Sequence, residues 1–412
     1  MTQTSVSSEK RGLLPLARSV IAPRGLCERV FATLLDRARH GALSVDLPDG
    51  RVLYQPVRTK GPEARLTIRH PRAARRLILS GQLGFAEAYV NGDLGIDDPT
   101  SLFHWFIQNE AALDAPTRGS WLMARLARLG HLLRDNDRRG ARRNIAYHYD
   151  LGNSFYEAWL DRSMTYSSAL FQHLDEPLKV AQARKYATIT DWLDPRPGDH
   201  LLEIGCGWGG FAEHLSRSKG TALTALTISE AQHAYARTRL APLGRENSIR
   251  LQDYRDVTGR YNGIASIEMF EAVGEAHWPT YFERVKSLLA DGGRAVIQVI
   301  TIEDARFETY RKSADFIQRY IFPGGMLPSP TVFREHAARA GLTVTRDMTF
   351  GRSYGETLRR WRAAFETAWP RLESMGFDAQ FRRLWRYYLA YCEAGFDSGA
   401  IDVGLYQLEH TD

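Results

Sequence analysis

Cysteine is scarce in this chain. Its 412 residues carry Cys27, Cys206 and Cys392, far apart and with no C-x-x-C pair. Three separated cysteines argue against a zinc site or a disulfide framework, and a reducing compartment is expected. No apolar run reaches the roughly 20 residues that span a bilayer. The apolar residues near the start are broken by Pro15 and Arg18, so no cleaved signal is expected. Charge of one sign does not dominate: 54 Lys and Arg stand against 48 Asp and Glu, a formal net charge of +6. That excess fits plain solubility, and also attraction to the phosphates of lipid head groups or nucleic acid. A hydrophobic fraction of 44% is that of a globular chain. The length suits two domains, or one large domain with additions.

What is present centres on residues 201–210, LLEIGCGWGG. Apolar residues run into Gly205, Cys206, Gly207, Trp208, Gly209 and Gly210. A buried strand that ends in a glycine turn and opens a helix has this pattern. Glycines accept φ > 0 and let the backbone approach a ligand. Gly205, Gly207 and Gly210 fit the G-x-G-x-x-G dinucleotide spacing, which also wants an acidic residue closing the second strand. Here the second strand closes in Thr227-Ile228-Ser229 with Gln232 nearby, and Asp253-Tyr254 closes the third. From Pro195 strands and helices alternate, as in a parallel doubly wound sheet. Strands are expected at 200–204, 222–227, 249–252, 263–267, 294–300 and 342–350, with a last edge strand at 403–408. Ligands of such sheets sit beyond the carboxyl ends of the strands. The glycine turn, Thr227, Asp253-Tyr254 and Met269-Phe270-Glu271 all fall at such ends. Asp253 also reads as a helix N-cap.

A smaller unit precedes this sheet. A helix is expected over 26–39, then a small antiparallel sheet from 43–47, 52–57 and 65–68. A helix at 72–79 follows, then a turn, short helix and loop over 81–98, and a helix at 101–110. Residues 121–143 place Leu122, Leu126, Leu129 and Leu133 at helical spacing among arginines. A basic amphipathic helix reads as a membrane-surface or partner helix, or as a solvated helix packing its leucines on the next domain. Residues 144–171 are dense in aromatics and carry His148, Asp150, Gly152 and Asn153. The aromatic stretch 301–329 interrupts the alternation and is expected to wall or cover an apolar pocket. Residues 356–395 read as helical.

NIAYHYDLGNSFY, TYSSALF, LEIGCGWGG, LTISEAQ, LQDYRD, MFEAVG and RYIFPGGMLPS occur in that order over 144–410. Together they resemble the cyclopropane-fatty-acyl-phospholipid synthases and their mycolic acid methyltransferase relatives. GQLGFAEAYVNGDL resembles that family's N-terminal lipid-associated domain. The resemblance implies an α/β fold: a class I S-adenosylmethionine (SAM) methyltransferase, with a Rossmann-like doubly wound sheet and a helical lid insertion. It implies a smaller α+β N-terminal domain, the two dividing as 1–140 and 141–412. The implied activity is transfer of a one-carbon unit from SAM to the double bond of an unsaturated acyl chain in a membrane phospholipid. Carried over by motif, the SAM contacts are Tyr166, Ser167, Gly205, Gly207, Thr227, Gln232, Asp253 and Tyr254. Tyr166 and Ser167 also read as core packing.

The family holds a bicarbonate ion as proton acceptor. Its pocket uses a Cys in YSCA, the Glu of MFEHVG, a His on the next strand, an Ile two residues later and a downstream Tyr. This chain keeps Glu271, Ile300 and Tyr354, but has Ser168 for the Cys and Gln298 for the His. Serine and glutamine still bond an anion or water, yet neither offers an imidazole charge. Three outcomes stay open. Bicarbonate is retained, or proton loss is redirected through Glu271 or a water near it toward a methylated or methyl-branched chain, or the protein is a non-catalytic or partner-dependent lipid-binding subunit or a SAM methyltransferase on another substrate. A raised pKa is expected for Glu271 in an apolar pocket, which suits a base. A nucleic-acid methyltransferase would carry an N/D-P-P-Y/F loop where this chain reads Glu268-Met269-Phe270-Glu271, so no nucleic acid partner is expected. The resemblance also implies a cytoplasmic protein peripheral on the inner face of the cell membrane, at an anionic surface. A homodimer and a second redox enzyme that processes the product complete the expectation.

Overall fold

The computed structural model describes residues 25–113, 151–218, 221–244, 247–312 and 314–411. The basic stretch 121–143, His148, Asp150 and the expected domain boundary at 140 lie outside these residues.

Helix α1 (Leu26–Arg37) turns Phe31 and Leu35 inward. Strands β1 (His40–Asp46), β2 (Val52–Gln55) and β3 (Thr59–Ile68) follow, then helix α2 (Arg72–Val90), strand β4 (Leu94–Ile96) and helix α3 (Pro99–Leu113). The strands form a sheet in the order β2-β1-β3-β4, and α3 packs on it. The turn expected at residue 81 is a break inside α2, where Gly81 has φ 53° and ψ −130°. Two expectations are corrected. β1 pairs antiparallel with β2 but parallel with β3, and the loop expected after residue 90 contains β4. An alternating pattern specifies which face is buried, not the direction of the neighbouring strand. The parallel register still pairs Val45 with Leu66, so both side chains reach the same core.

The second unit alternates as expected. Helices α4 (Asn153–Glu157) and α5 (Leu178–Leu193) lead into β5 (His200–Ile204), α6 (Gly210–Ser218), β6 (Ala222–Thr227), α7 (Glu230–Leu240) and β7 (Asn247–Leu251). Then come β8 (Tyr261–Ile267), α8 (Trp278–Leu288), β9 (Leu289–Ile302), α9 (Asp304–Tyr310), α10 (Phe316–Tyr320) and α11 (Pro330–Arg339). The chain closes with β10 (Leu342–Thr349), α12 (Gly351–Ser374), α13 (Ala379–Asp397) and β11 (Ile401–His410). The sheet order is β10-β11-β9-β8-β5-β6-β7. All pairs from β9 to β7 are parallel, and β11 runs antiparallel to both of its neighbours.

The last strand is therefore not an edge. Residues 403–408 of β11 are all buried, as an interior position demands, and β10, largely exposed, forms the border. Buried parallel strands carry near-continuous apolar runs, which β5 and β6 show but for Glu203 and Thr224 within them. The chain leaves β5 for β6 and β7, then returns to β8 on the other side. That reversal opens a crevice at the carboxyl ends of β5 and β8, where ligands of this architecture bind.

Candidate active site

A cavity of about 1110 Å³ occupies this crevice. It lies just above the roughly 300–1,000 Å³ typical of a small-molecule site. All eight residues expected to hold SAM line it: Tyr166, Ser167, Gly205, Gly207, Thr227, Gln232, Asp253 and Tyr254. The glycine turn is left-handed at Gly205 (φ 84°) and Gly207 (φ 52°). A Cβ on Gly207 would meet no protein atom within 4 Å, so the backbone there faces open cavity. The turn is pinned from outside. The Trp208 indole donates to Asn153 Oδ1 at 2.8 Å, and Arg239 donates to the Trp208 carbonyl at 3.3 Å.

Beyond the turn, Thr227 donates its hydroxyl to Gln232 Oε1 at 2.8 Å. Asp253 accepts the Arg255 backbone N–H at 2.9 Å and pairs with its guanidinium at 2.7 Å, so it caps its own short turn while lining the cavity. Under the turn, Glu203 is fully buried, and its Oε2 has no hydrogen-bond partner among the described residues. Burial pushes the Glu203 carboxyl up to about 8. An open glycine cradle beside an unsatisfied acceptor fits a cofactor that brings its own amine donor and positive charge.

At the end of the neighbouring strand β8, Glu268 collects the polar groups. It follows β8 directly and sits at φ 49°, a left-handed conformation uncommon for a residue with a side chain. Its Oε1 accepts the Ser168 backbone N–H at 2.8 Å and the Gln298 amide at 2.6 Å. Its Oε2 accepts the Tyr354 hydroxyl at 2.6 Å. The Glu268 N–H in turn donates to the Gln298 carbonyl at 2.9 Å. Glu268 and Tyr354 line the cavity; Ser168 and Gln298 are fully buried behind it. Sequence reading placed Ser168, Gln298 and Tyr354 around a small anion, and the structure brings them together around the carboxylate of Glu268. Sequence reading had not singled out Glu268 as a site residue. The available signal was its place, an acidic residue at the carboxyl end of a parallel strand.

Glu271 lies apart from this cluster. Its Oε1 accepts the Ile300 N–H at 2.6 Å, and its Oε2 has no hydrogen-bond partner among the described residues. Burial, then repulsion from Glu268, pushes it up to about 8, the direction the apolar setting predicted. It is therefore mostly a neutral acid at pH 7. Burial also raises Glu268, but Lys185 and its three donors oppose the rise. Lys185 is fully buried on α5 and donates to Ser167 Oγ at 2.6 Å. Burial lowers its ammonium to about 7, against the pull of Glu268, Asp161 and Glu203.

Aromatic rings wall the space between. Tyr166 and Tyr388 share a hydroxyl hydrogen bond of 2.8 Å, Tyr166 packs on Trp361 at 5.2 Å, and Tyr354 stacks on Phe396 at 4.3 Å.

The family model described as mycolic acid cyclopropane synthetase matches residues 136–406. The chain belongs to that family. Among its relatives is the tuberculostearic acid methyltransferase UfaA1 of Mycobacterium tuberculosis, 37% identical over 92% of each chain. The cyclopropane-fatty-acyl-phospholipid synthase of Escherichia coli is 31% identical, over 84% of this chain and 87% of that one. The mycolic acid cyclopropane synthase CmaA1, solved with SAH and CTAB, is 29% identical with a TM-score of 0.60, covering 65% of this chain and 97% of that one. The protein is thus a SAM-dependent methyltransferase of the cyclopropane and mycolic acid synthase family, with the class I fold, and it acts on lipids.

Proposed function

We propose that this enzyme methylates the double bond of an unsaturated phospholipid acyl chain and ends with a methylene-bearing chain, using Glu268 as proton acceptor. One observation carries the reading: the Ser168 N–H, the Gln298 amide and the Tyr354 hydroxyl are all engaged by the Glu268 carboxylate. By resemblance, those positions would hold bicarbonate. With their donors taken by a side chain of the protein, a bicarbonate ion does not fit there, and no step is routed through one.

Bound SAM supplies an electrophilic sulfonium methyl. The chain's own residues do the rest. The aromatic and apolar walls keep water out and hold the alkene in line with that methyl. The alkene's electron pair forms the new C–C bond as the C–S bond breaks, leaving positive charge on the acyl chain. Glu268 faces that charge as a carboxylate held ready by three donors, and the ring of Tyr166 offers its negative face. After a hydride shift onto the adjacent carbon, Glu268 takes a proton from the new methyl group, and the electrons of that C–H bond become an exocyclic double bond. Glu271, mostly neutral at pH 7, does not compete as the base. A saturated methyl branch then requires a hydride and a proton from a second redox enzyme.

Support for methylation over ring closure also comes from the relatives, since identity to the named methyltransferase exceeds identity to the E. coli cyclopropane synthase. The substrate places the enzyme at the anionic inner face of the membrane, which its net charge of +6 favours. Among the described residues no helix is long and apolar enough to cross a membrane. The test uses purified enzyme, methyl-labelled SAM and vesicles of unsaturated phosphatidylglycerol in carbonate-free buffer, with and without added bicarbonate. The expected product carries one more carbon, keeps an unsaturation that derivatisation detects, and forms at a rate indifferent to bicarbonate. A saturated ring product whose formation needs bicarbonate overturns the reading.

A further inference from the structure

The cavity has a second polar region, far along the chain from the glycine turn. Helices α2 and α3 line the cavity with Leu83, Phe85, Phe106 and Ile107, and Phe316 and Phe322 of the 301–329 insertion line it as well. The family match begins at residue 136, so α2 and α3 are walls that this match does not include. Where helices and insertion meet, the lining turns from apolar to charged. Arg306 of α9 makes a two-pronged pair with Glu110 of α3, at 2.7 and 3.0 Å. Glu87 of α2 accepts the Tyr320 hydroxyl of α10 at 2.6 Å and lies 3.9 Å from Arg319. Arg306, Glu110 and Arg319 are 37%, 36% and 43% exposed, so this seam opens to solvent.

The lining combines what a phospholipid needs, apolar walls and a half-exposed charged seam. A closed apolar end would suit the terminal methyl of an acyl chain. A half-exposed rim with two guanidiniums suits an anion, and arginine binds phosphate oxygens two at a time. The carboxylates now on those arginines make the same kind of contact.

We propose that the seam binds the phosphodiester of the lipid whose acyl chain fills the cavity, with Arg306 and Arg319 as its cations and Glu110 and Glu87 as the carboxylates it displaces. This rests on the acyl-lipid reading above and names the end of the substrate that the reaction does not touch. It separates two roles for the Arg306–Glu110 pair. If the pair is only a latch between insertion and α3, removing either partner has the same effect. If Glu110 competes with the ligand, removing it has the opposite effect to removing Arg306.

The measurement is calorimetric titration of short-chain phosphatidylglycerol, the matching uncharged diacylglycerol and inorganic phosphate into the full chain. The wild type is expected to bind phosphatidylglycerol about ten-fold or more tighter than diacylglycerol. Arg306→Gln with Arg319→Gln is expected to erase that preference, and Glu110→Gln to tighten phosphatidylglycerol binding. Absence of the preference in the wild type, or weakening by Glu110→Gln as large as that by Arg306→Gln, overturns the proposal. Inorganic phosphate displacing phosphatidylglycerol at equal concentration overturns the lipid as source. Failure of wild-type methyl transfer to any acyl chain would sink the catalytic reading instead, and leaves this binding comparison to be decided by its own outcome.

Discussion

Tyr354 on α12 donates its hydroxyl to Glu268 at the end of β8 across 2.6 Å, joining residues 86 positions apart. The bond fixes which oxygen of Glu268 is engaged, and it favours the ionised form of that carboxylate. Tyr354→Phe removes this donor and keeps the ring stack on Phe396. The Glu268 pKa is expected to rise. Since the ionised carboxylate is the base, activity is expected to be lost first at low pH, with the acid limb of kcat moving upward. A kcat profile against pH checks this; a uniform drop with an unmoved limb would argue against Glu268 as the titrating base.

Glu268→Gln tests the base directly. The substitution puts an amide where Gln298 already presents one, and removes the proton acceptor. Turnover is expected to fall by about 10²–10⁴-fold, the usual contribution of a positioned base. SAH binding is expected to stay within a few-fold, because no SAM-lining residue is touched. Single-turnover transfer of labelled methyl, beside a titration with SAH, separates the two. Near-normal turnover would remove Glu268 from the chemistry.

Glu271 carries the opposite expectation. Its folded pKa, about 8, stands above the ordinary value of 4.5. Between those values the folded protein holds a proton that the unfolded chain has released. Stability from this group is therefore full below about pH 4.5 and is lost as pH rises toward 8. Glu271→Gln mimics the protonated acid and retains an acceptor for the Ile300 N–H. It is expected to keep most activity at pH 7 and to unfold at a higher temperature than the wild type at pH 8. Thermal unfolding at several pH values decides, and an unchanged difference from pH 5 to pH 8 would refute the assignment.

Lys185 is a fully buried lysine that interacts with Glu268. Lys185→Met keeps the length of the side chain and removes the charge. Removing one partner of a buried charge pair typically costs about 3–5 kcal/mol, so the unfolding temperature is expected to fall. In the folded variant the acid limb of kcat is expected to move up by about one unit or more, as loss of a nearby opposite charge dictates. Asp161, Glu203 and Tyr186 also face Lys185. A limb that stays put in Lys185→Met would make the lysine a packing residue only.

Much of this site was legible in the sequence because parallel strands announce themselves. β5 and β6 were readable to the residue, and the glycine turn between β5 and α6 lines the cavity at the strand ends where a ligand is expected. Direction and neighbours were less readable. The alternation of β1 and β3 says nothing of their parallel pairing, and β11 looks like any short apolar strand until its two partners are known. Glu268 was the substantive omission. Its three donors come from positions 100, 30 and 86 residues away, and only the folded sheet brings them to one carboxylate. Family motifs gave the donors their positions but left open what they hold.

Two glycines of the same turn should fail in different ways. Gly205 (φ 84°) and Gly207 (φ 52°) both sit in the left-handed region, where an alanine costs roughly 1–2 kcal/mol. Beyond that shared term they differ. A Cβ on Gly205 would lie 2.7 Å from Met269 Cγ, so alanine there also overpacks the protein, typically by about 1–3 kcal/mol. A Cβ on Gly207 meets no protein atom and projects into the cavity. Gly205→Ala is therefore expected to lower the unfolding temperature more than Gly207→Ala does. Gly207→Ala is expected to weaken SAH binding about ten-fold or more, because the methyl group takes space the cofactor needs. Thermal unfolding and an SAH titration on both variants test the pair. Equal losses of affinity with equal losses of stability would mean that the turn acts only as a fold element, and the open face of Gly207 would then have no part in holding the cofactor.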